Sequence, residues 1–214
     1  RSCLVRGLGD VYKRQQYVQR EDMQAQIFDG VKSIQDFNMV PIVEKTKIEV
    51  IIPTADKPEY IRVHLGEPDE PAENIRVPFV DYIKNVASSE IYPTWPEAAL
   101  RANILAEISY ALNRVYTEWY PSRGYDFDIT SSTKFDQKFI QNRDYFENIS
   151  RIVDDIFNNY VVKQGSVAPY FTQYCDGRRV SCEGLSQWGT VDLANEGLTP
   201  YEILQYYYGD DINI

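Results

Sequence analysis

The residue most able to do chemistry in this chain is Glu90, which closes the run NVASSE (85–90) just before Pro93 and Pro96 interrupt the helical pattern. Its sequence neighbours are small or apolar (Ala87, Ser88, Ser89, Ile91), and Tyr92 and Trp95 follow within a turn's reach. A carboxyl half-buried at such a junction has its pKa raised by desolvation and can donate a proton near neutral pH. The plainer reading is a solvated charge at a helix end. A second set of polar groups lies in GLSQWG (184–189), where Ser186 and Gln187 sit on a glycine-bounded turn. Their side chains either stay exposed to hydrogen-bond a ligand or cap a helix beginning near Thr190. Tyr110, Tyr174 and Asp176 could line the same cleft, and Asp176 is the carboxylate that could serve as a second acid. Trp188 reads as structural or as a sugar-stacking ring. Glu107, Glu118, Asp126 and Asp128 read as solvated charges, and Asp154 with Asp155 as the wet face of a helix.

The elements that must position these groups follow from pattern. KIEVIIPT (47–54) and YIRVHLGEP (60–68) alternate as half-buried strands do, the second with Ile61, Val63 and Leu65 on one face, and IRVPF (75–79) is a third short strand. VDYIKNVASSE (80–90) reads as a helix delivering Glu90 at its end. Pro96 suits the first turn of the next helix. From Glu97 to Trp119, Leu100, Ile104, Ile108, Leu112, Val115 and Trp119 recur at three- and four-residue steps, a core-facing stripe. A further helix is expected over about Asp144–Tyr160, with Ile149, Ile152, Val153 and Ile156 inward. The segment SRGYDFDITSSTKFDQKF (122–139) lacks helical period and reads as a long surface loop with one strand at most. Extended pieces are expected around Pro169–Tyr174, and the Thr199-Pro200 pair opens a last helix that runs to Gly209. Strands first and helices after gives an α+β fold: short N-terminal strands, then a mainly helical catalytic-type domain with a central groove.

Residues 1–15 resemble translated sequencing-adapter read and are expected to be foreign. Residues 16–46 read as the remnant of an upstream unit and a linker, and residues 47–214 as the domain. The formal net charge of −10 would repel nucleic-acid phosphates, and no basic cluster offsets it. No apolar run approaches the roughly 20 residues that span a bilayer, and the start lacks the apolar core of a signal peptide. The 17 Tyr, 9 Phe and 3 Trp could stack on sugar faces, though most are expected in the core. Beyond Cys3, the cysteines are Cys175 and Cys182. They either form a short disulfide loop, worth about 2.5 kcal/mol by chain entropy and implying an oxidising location, or stay as two reduced thiols. No metal site is expected: zinc needs three or four nitrogen or sulfur ligands, and the only histidine, His64, is far from both cysteines in sequence. No cofactor is expected either.

SSEIYP (88–93), TWPEA (94–98), ALRAN (99–103) and ISYAL (108–112), followed by GLSQWGT (184–190) and PYEILQYYYGDDINI (200–214), resemble the stage II sporulation protein D family. Within it, YIKNVASSEIYPTWPEAALRAN (82–103) and YCDGRRVSCEGLSQWG (174–189) look most like clostridial spore cortex-lytic transglycosylases. The resemblance covers about residues 60–214. It implies binding or cleavage of cell-wall glycan strands, with the family's catalytic glutamate falling on Glu90, and an extracytoplasmic location at the cell wall or spore cortex. It also implies a pro-segment or wall-binding repeat elsewhere in such proteins. Three departures bear on it. The family's helix Gln and Arg are Asn103 and Ile108 here; the loop in which some members bind zinc, DFDITSSTKFDQ (126–137), has no His or Cys; and Cys182-Glu183 replaces a His-Gly. A lytic transglycosylase needs one carboxyl because its substrate's own C6 hydroxyl is the nucleophile. The alternatives are a non-catalytic glycan-binding or amidase-enhancing module, and a two-carboxylate muramidase with its second acid about 5–9.5 Å from Glu90.

Overall fold

The computed structural model describes residues 57–214. The segments expected at 1–15 and 16–46, and the strand at 47–54, lie outside the described residues. Strand β1 (Tyr60–His64) pairs antiparallel with β2 (Asn74–Pro78) and parallel with the short β3 (Ile129–Thr130), giving the order β2-β1-β3. Alternation decides the orientation of β1: Ile61 and Val63 are fully buried, while Tyr60 and Arg62 face outward. His64 is placed by this strand, its ring stacked on Phe127 and bonded to Asn74.

Helix α1 (Phe79–Glu90) starts directly from β2 and buries Phe79, Tyr82, Ile83, Val86 and Ala87. It stops where Ile91 turns extended, with the Ile91 N–H bonding back to the Ala87 carbonyl. Helix α2 (Glu97–Tyr116) follows; Pro96 stands one residue before it, and the Pro96 carbonyl accepts the Leu100 N–H. Small and branched residues alternate around α2 so that little of its circumference reaches water, as expected of a central helix. Helices α1, α3 (Glu147–Ile156), α4 (Gln187–Asn195) and α5 (Pro200–Tyr208) all pack against it.

Two helix ends differ from expectation. Helix α2 breaks before Trp119, which is 39% exposed rather than part of the stripe and lies under the Arg123 guanidinium. Helix α3 is shorter than 144–160, although Ile149, Ile152, Val153 and Ile156 are its buried face as the spacing predicts. Its outward Asp154 and Asp155 pair with Lys84 and Arg101. Helix α5 opens with a capping box: Thr199 accepts from the Glu202 N–H, and Glu202 accepts from Thr199. The remaining sheets are minimal: β4 (Val162–Lys163) with β7 (Ile212–Asn213), and β5 (Tyr174–Cys175) with β6 (Leu185–Ser186). The mixed α+β class holds.

The segment 131–140 corrects the sequence reading. It is not a surface loop throughout: Gln137 is fully buried, Phe139 nearly so, and the Asp136 side chain is sealed from solvent.

Ile108 on α2 is fully buried. Truncation to Ala should cost about 2–5 kcal/mol, whereas Ala at the exposed Arg151 should change stability by no more than about 0.5 kcal/mol. Urea denaturation followed by circular dichroism reads both.

Candidate functional site

Glu90 is the last residue of α1, and its carboxyl is gripped from three segments remote in sequence. The Lys138 N–H donates to Oε1 at 2.6 Å, the Gln187 side-chain amide to Oε2 at 3.1 Å, and the Tyr174 hydroxyl also donates to the carboxylate. Glu90 keeps partial exposure, while Val86, Ala87 and Ile91 around it are buried. Desolvation raises its pKa; the three donors and the Lys138 charge oppose that without cancelling it. The carbonyl end of α1 acts in the same direction as burial, because it disfavours a negative charge.

Each donor has its own support. Gln187 is the first residue of α4; its carbonyl accepts from the Thr190 hydroxyl, which in turn accepts from Asn103 of α2 at 2.7 Å. Asn103 therefore sets the register between α2 and α4. Tyr174 lies on β5 and accepts from the Gln137 amide. Lys138 is held by its neighbours: Gln137 also donates to the Glu107 carbonyl and accepts from Tyr82, and Asp136 accepts from Arg114, Tyr110, Tyr120 and the Thr130 N–H and hydroxyl.

Two glycines of the GLSQWG run are explained by close approach. A Cβ at Gly184 would lie 1.9 Å from the Gln173 carbonyl oxygen, and one at Gly189 2.1 Å from the Tyr207 hydroxyl. The Gly184 clash is with backbone, so a side chain there would move the strand that leads to Gln187, whereas at Gly189 it is the end of the Tyr207 side chain that would have to give way.

The expected site residues separate. Gln187 and Tyr174 meet Glu90 directly. Ser186 is committed to the helix: its hydroxyl caps α4 by accepting the Gly189 N–H. Tyr110 is one step removed, donating to Asp136 and lying 6.0 Å from the Tyr174 ring. With Phe171, Phe135 and Lys134, these two tyrosines line a cavity of about 220 Å³. Tyr174 is the wall between that cavity and Glu90. Shortly after Glu90 in the chain, Tyr92 and Trp95 form an aromatic cluster with Trp188, and the Arg178 guanidinium lies 3.5 Å from the Trp188 ring centre.

Asp176 is corrected. Its Oδ1 accepts the N–H groups of Arg178, Arg179 and Val180, which hold its pKa low and bind it to a turn rather than to acid chemistry. Cys175 and Cys182 are bridged, with Cα atoms 6.1 Å apart, closing that turn. Two supposed solvated charges are also corrected. Asp128 is mostly buried and paired with Arg62 at 2.7 Å. Glu107 is 1% exposed, and neither of its carboxyl oxygens has a hydrogen-bond partner among the described residues. Burial first, and the Glu90 charge second, push its pKa well up.

Sequence reasoning missed Asp136, Gln137, Lys138 and Glu107. For the loop residues no periodic signal exists. Glu107 had one: Asn103, Glu107, Tyr110 and Arg114 follow at steps of four, three and four along one face of α2, which marks that face as inward. Among the described residues no cluster of His, Cys, Asp or Glu is placed to hold a metal ion, and no helix is long and apolar enough to cross a membrane.

Residues 72–160 match the family model SpoIID, described as Stage II sporulation protein. This segment is a SpoIID domain. It includes β2, α1, α2, α3 and the 131–140 segment, hence Glu90 and Lys138; Tyr174 and Gln187 lie beyond it. The match relates this segment to sporulation proteins. An uncharacterized protein of Brachyspira hyodysenteriae is 29% identical over 106 residues, which are 49% of this chain and 28% of that relative. The match thus spans under a third of the relative's length.

Two outcomes follow from the site's electrostatics. Gln187→Ala removes a donor that favours the carboxylate, so the Glu90 pKa should rise further, read by carbon NMR of labelled glutamate. Glu107 has a folded pKa above its unfolded value of about 4.3. Its contribution to stability is therefore full below that value and is lost as pH rises toward the folded pKa. Glu107→Gln should flatten this fall and leave the domain more stable than wild type at neutral pH, measured by thermal melts across pH.

Proposed function

We propose that the chain is a peptidoglycan lytic transglycosylase, cleaving the bond between N-acetylmuramic acid and N-acetylglucosamine to a 1,6-anhydro product. The reading rests on the SpoIID match and, above all, on one observation: a single partly exposed carboxyl of raised pKa, held by three donors. Protonated Glu90 gives its proton to the glycosidic oxygen as that bond breaks. The resulting carboxylate then takes the proton of the muramic C6 hydroxyl as its oxygen bonds to C1. No second substrate-facing carboxylate is required. Asp176 is tied to its turn, and Glu107 is sealed from any glycan, which weighs against a two-carboxylate muramidase.

The substrate is a glycan strand of peptidoglycan, recognised by stacking and hydrogen bonding rather than by charge, in keeping with the net charge of −10. The bridge between Cys175 and Cys182 supports work outside the cytoplasm, at the cell wall or in the spore cortex during germination.

Purified peptidoglycan digested with the chain and analysed by mass spectrometry should yield anhydro-muramic ends. Glu90→Gln should lower release by a factor of about 10² or more while still sedimenting with the wall. New reducing ends would point to hydrolysis instead, and binding without release from the wild type would leave a glycan-binding module.

A further inference from the structure

We propose that Gln137 is a positioning residue for Glu90: from a sealed place behind the site it fixes the Tyr174 hydroxyl as a donor to that carboxyl, so that Tyr174 cannot take the proton Glu90 carries as an acid. The use made of that acid rests on the transglycosylase reading; the fixed direction of the hydroxyl does not.

The observation behind this is a polar side chain with no access to water. Gln137 is fully buried, in a segment that has no helix or strand of its own. A buried amide has two N–H bonds and an oxygen to satisfy, and all three must find protein partners here. They do: the Glu107 main-chain carbonyl lies at 3.1 Å, the Tyr174 hydroxyl at 3.0 Å and the Tyr82 hydroxyl at 3.1 Å.

The oxygen and nitrogen of an amide are told apart by what they face. The Glu107 carbonyl decides the matter, because a main-chain carbonyl can only accept. Oε1 turned toward it would set two acceptors against each other, so Nε2 takes that place. The second hydrogen of Nε2 then reaches the Tyr174 oxygen, and Oε1 is left to accept from Tyr82. Each direction follows from the one before, starting at a carbonyl locked in the body of α2.

Tyr174 has a single proton. With its oxygen already accepting from Gln137, that proton goes to Glu90. The Lys138 N–H, 2.6 Å from Oε1, can likewise only donate. Were Gln137 replaced by an apolar residue, the Tyr174 oxygen would be open. The hydroxyl could then rotate and accept from the protonated carboxyl, holding the proton within the protein. With Gln137 in place, and with Gln187 donating to Oε2 at 3.1 Å, the proton is kept for the arriving glycosidic oxygen. Gln137 itself exchanges no proton and, being sealed, touches no glycan.

Several other groups bear on the Glu90 titration. They are Tyr82 on α1, Glu107 on α2 and Lys138 in the 131–140 segment, with Asp136 and Tyr110 acting on Tyr82; Gln187, facing Glu90 from α4, does not titrate. Replacing Gln137 in the presence and in the absence of the Tyr174 hydroxyl cancels their contributions and isolates the path through Tyr174.

The test titrates the Glu90 carboxyl of the full chain by carbon NMR. Tyr174→Phe removes a donor to the carboxylate and should move the titration up by about one pH unit. Gln137→Met, which opens the Tyr174 oxygen, should move it up by about half a unit and add nothing in the Tyr174→Phe background. Release of anhydro products should follow: in Gln137→Met, kcat falls and its alkaline limb moves up with the titration, while KM is unchanged. Should Gln137→Met not fold, Tyr174→Phe serves from the other side. Both Gln137 side-chain N–H signals should exchange slowly in the wild type, and one should lose protection in Tyr174→Phe. A Glu90 titration unmoved by Gln137→Met, an equal shift with and without the Tyr174 hydroxyl, or Gln137 signals indifferent to Tyr174→Phe overturns the proposal. Titrations as expected in a chain that releases no anhydro product would leave the role of Gln137 standing and remove the transglycosylase reading instead.

Discussion

The buried ion pair between Arg114 and Asp136 is the fixed point from which the candidate site is built. Both side chains are almost free of solvent, and Asp136 also accepts from two tyrosine hydroxyls and from both the N–H and the hydroxyl of Thr130. Such pairs are weak evidence for stability, since desolvating both charges offsets most of their attraction. Their use here is geometric. Asp136 pulls a loop with no secondary structure of its own into the interior. That places Gln137 beneath Tyr174 and aims the Lys138 N–H at Glu90. A segment that composition marks as polar and exposed thereby becomes the floor of the site.

The polar groups around Glu90 form a set in which each member is held by another. Asn103 fixes Thr190, Thr190 fixes the first turn of α4, and that turn presents Gln187; Gln137 orients Tyr174 through its hydroxyl. A network of this kind rigidifies a site when its members are satisfied and is costly where they are not. The exception within it is Glu107, the one carboxyl there without a hydrogen bond among the described residues. Its burial without a partner works against folding at neutral pH.

Much of the scaffold was legible in the sequence because it follows from periodicity. The stripe from Leu100 to Leu112, the buried face of α3, the alternation in β1 and the Thr199-Pro200 start of α5 are all local signals. Glu90 was legible for a related reason: a helix that ends in a glutamate before two prolines places that side chain at a junction. The partners were less so. Gln187 stood out through its glycine-flanked turn, but Ser186 beside it proved to be a helix cap, and nothing local separates the two. Asp176 and Asp136 look alike in sequence, each in a loop after an aromatic or polar run. One satisfies the backbone N–H groups of its own turn, and the other accepts from side chains at distant points of the chain. That difference is one of long-range contact, which spacing alone does not carry.

The disulfide belongs to the same logic. The parallel pairing of β5 and β6 involves only two residues on each strand, too few to hold two segments together unaided. Yet Tyr174 lies on β5, and Gln187 follows β6 directly, so two of the three donors to Glu90 depend on this ladder. The intervening turn is closed by the bond between Cys175 and Cys182, seven residues apart, and by Asp176 capping three successive N–H groups. Gly184 lets the returning strand pass against the Gln173 carbonyl, where any side chain would force it away. The covalent closure thus compensates for the short ladder. It acts on the spacing between Tyr174 and Gln187, and through them on where the Glu90 carboxyl can sit.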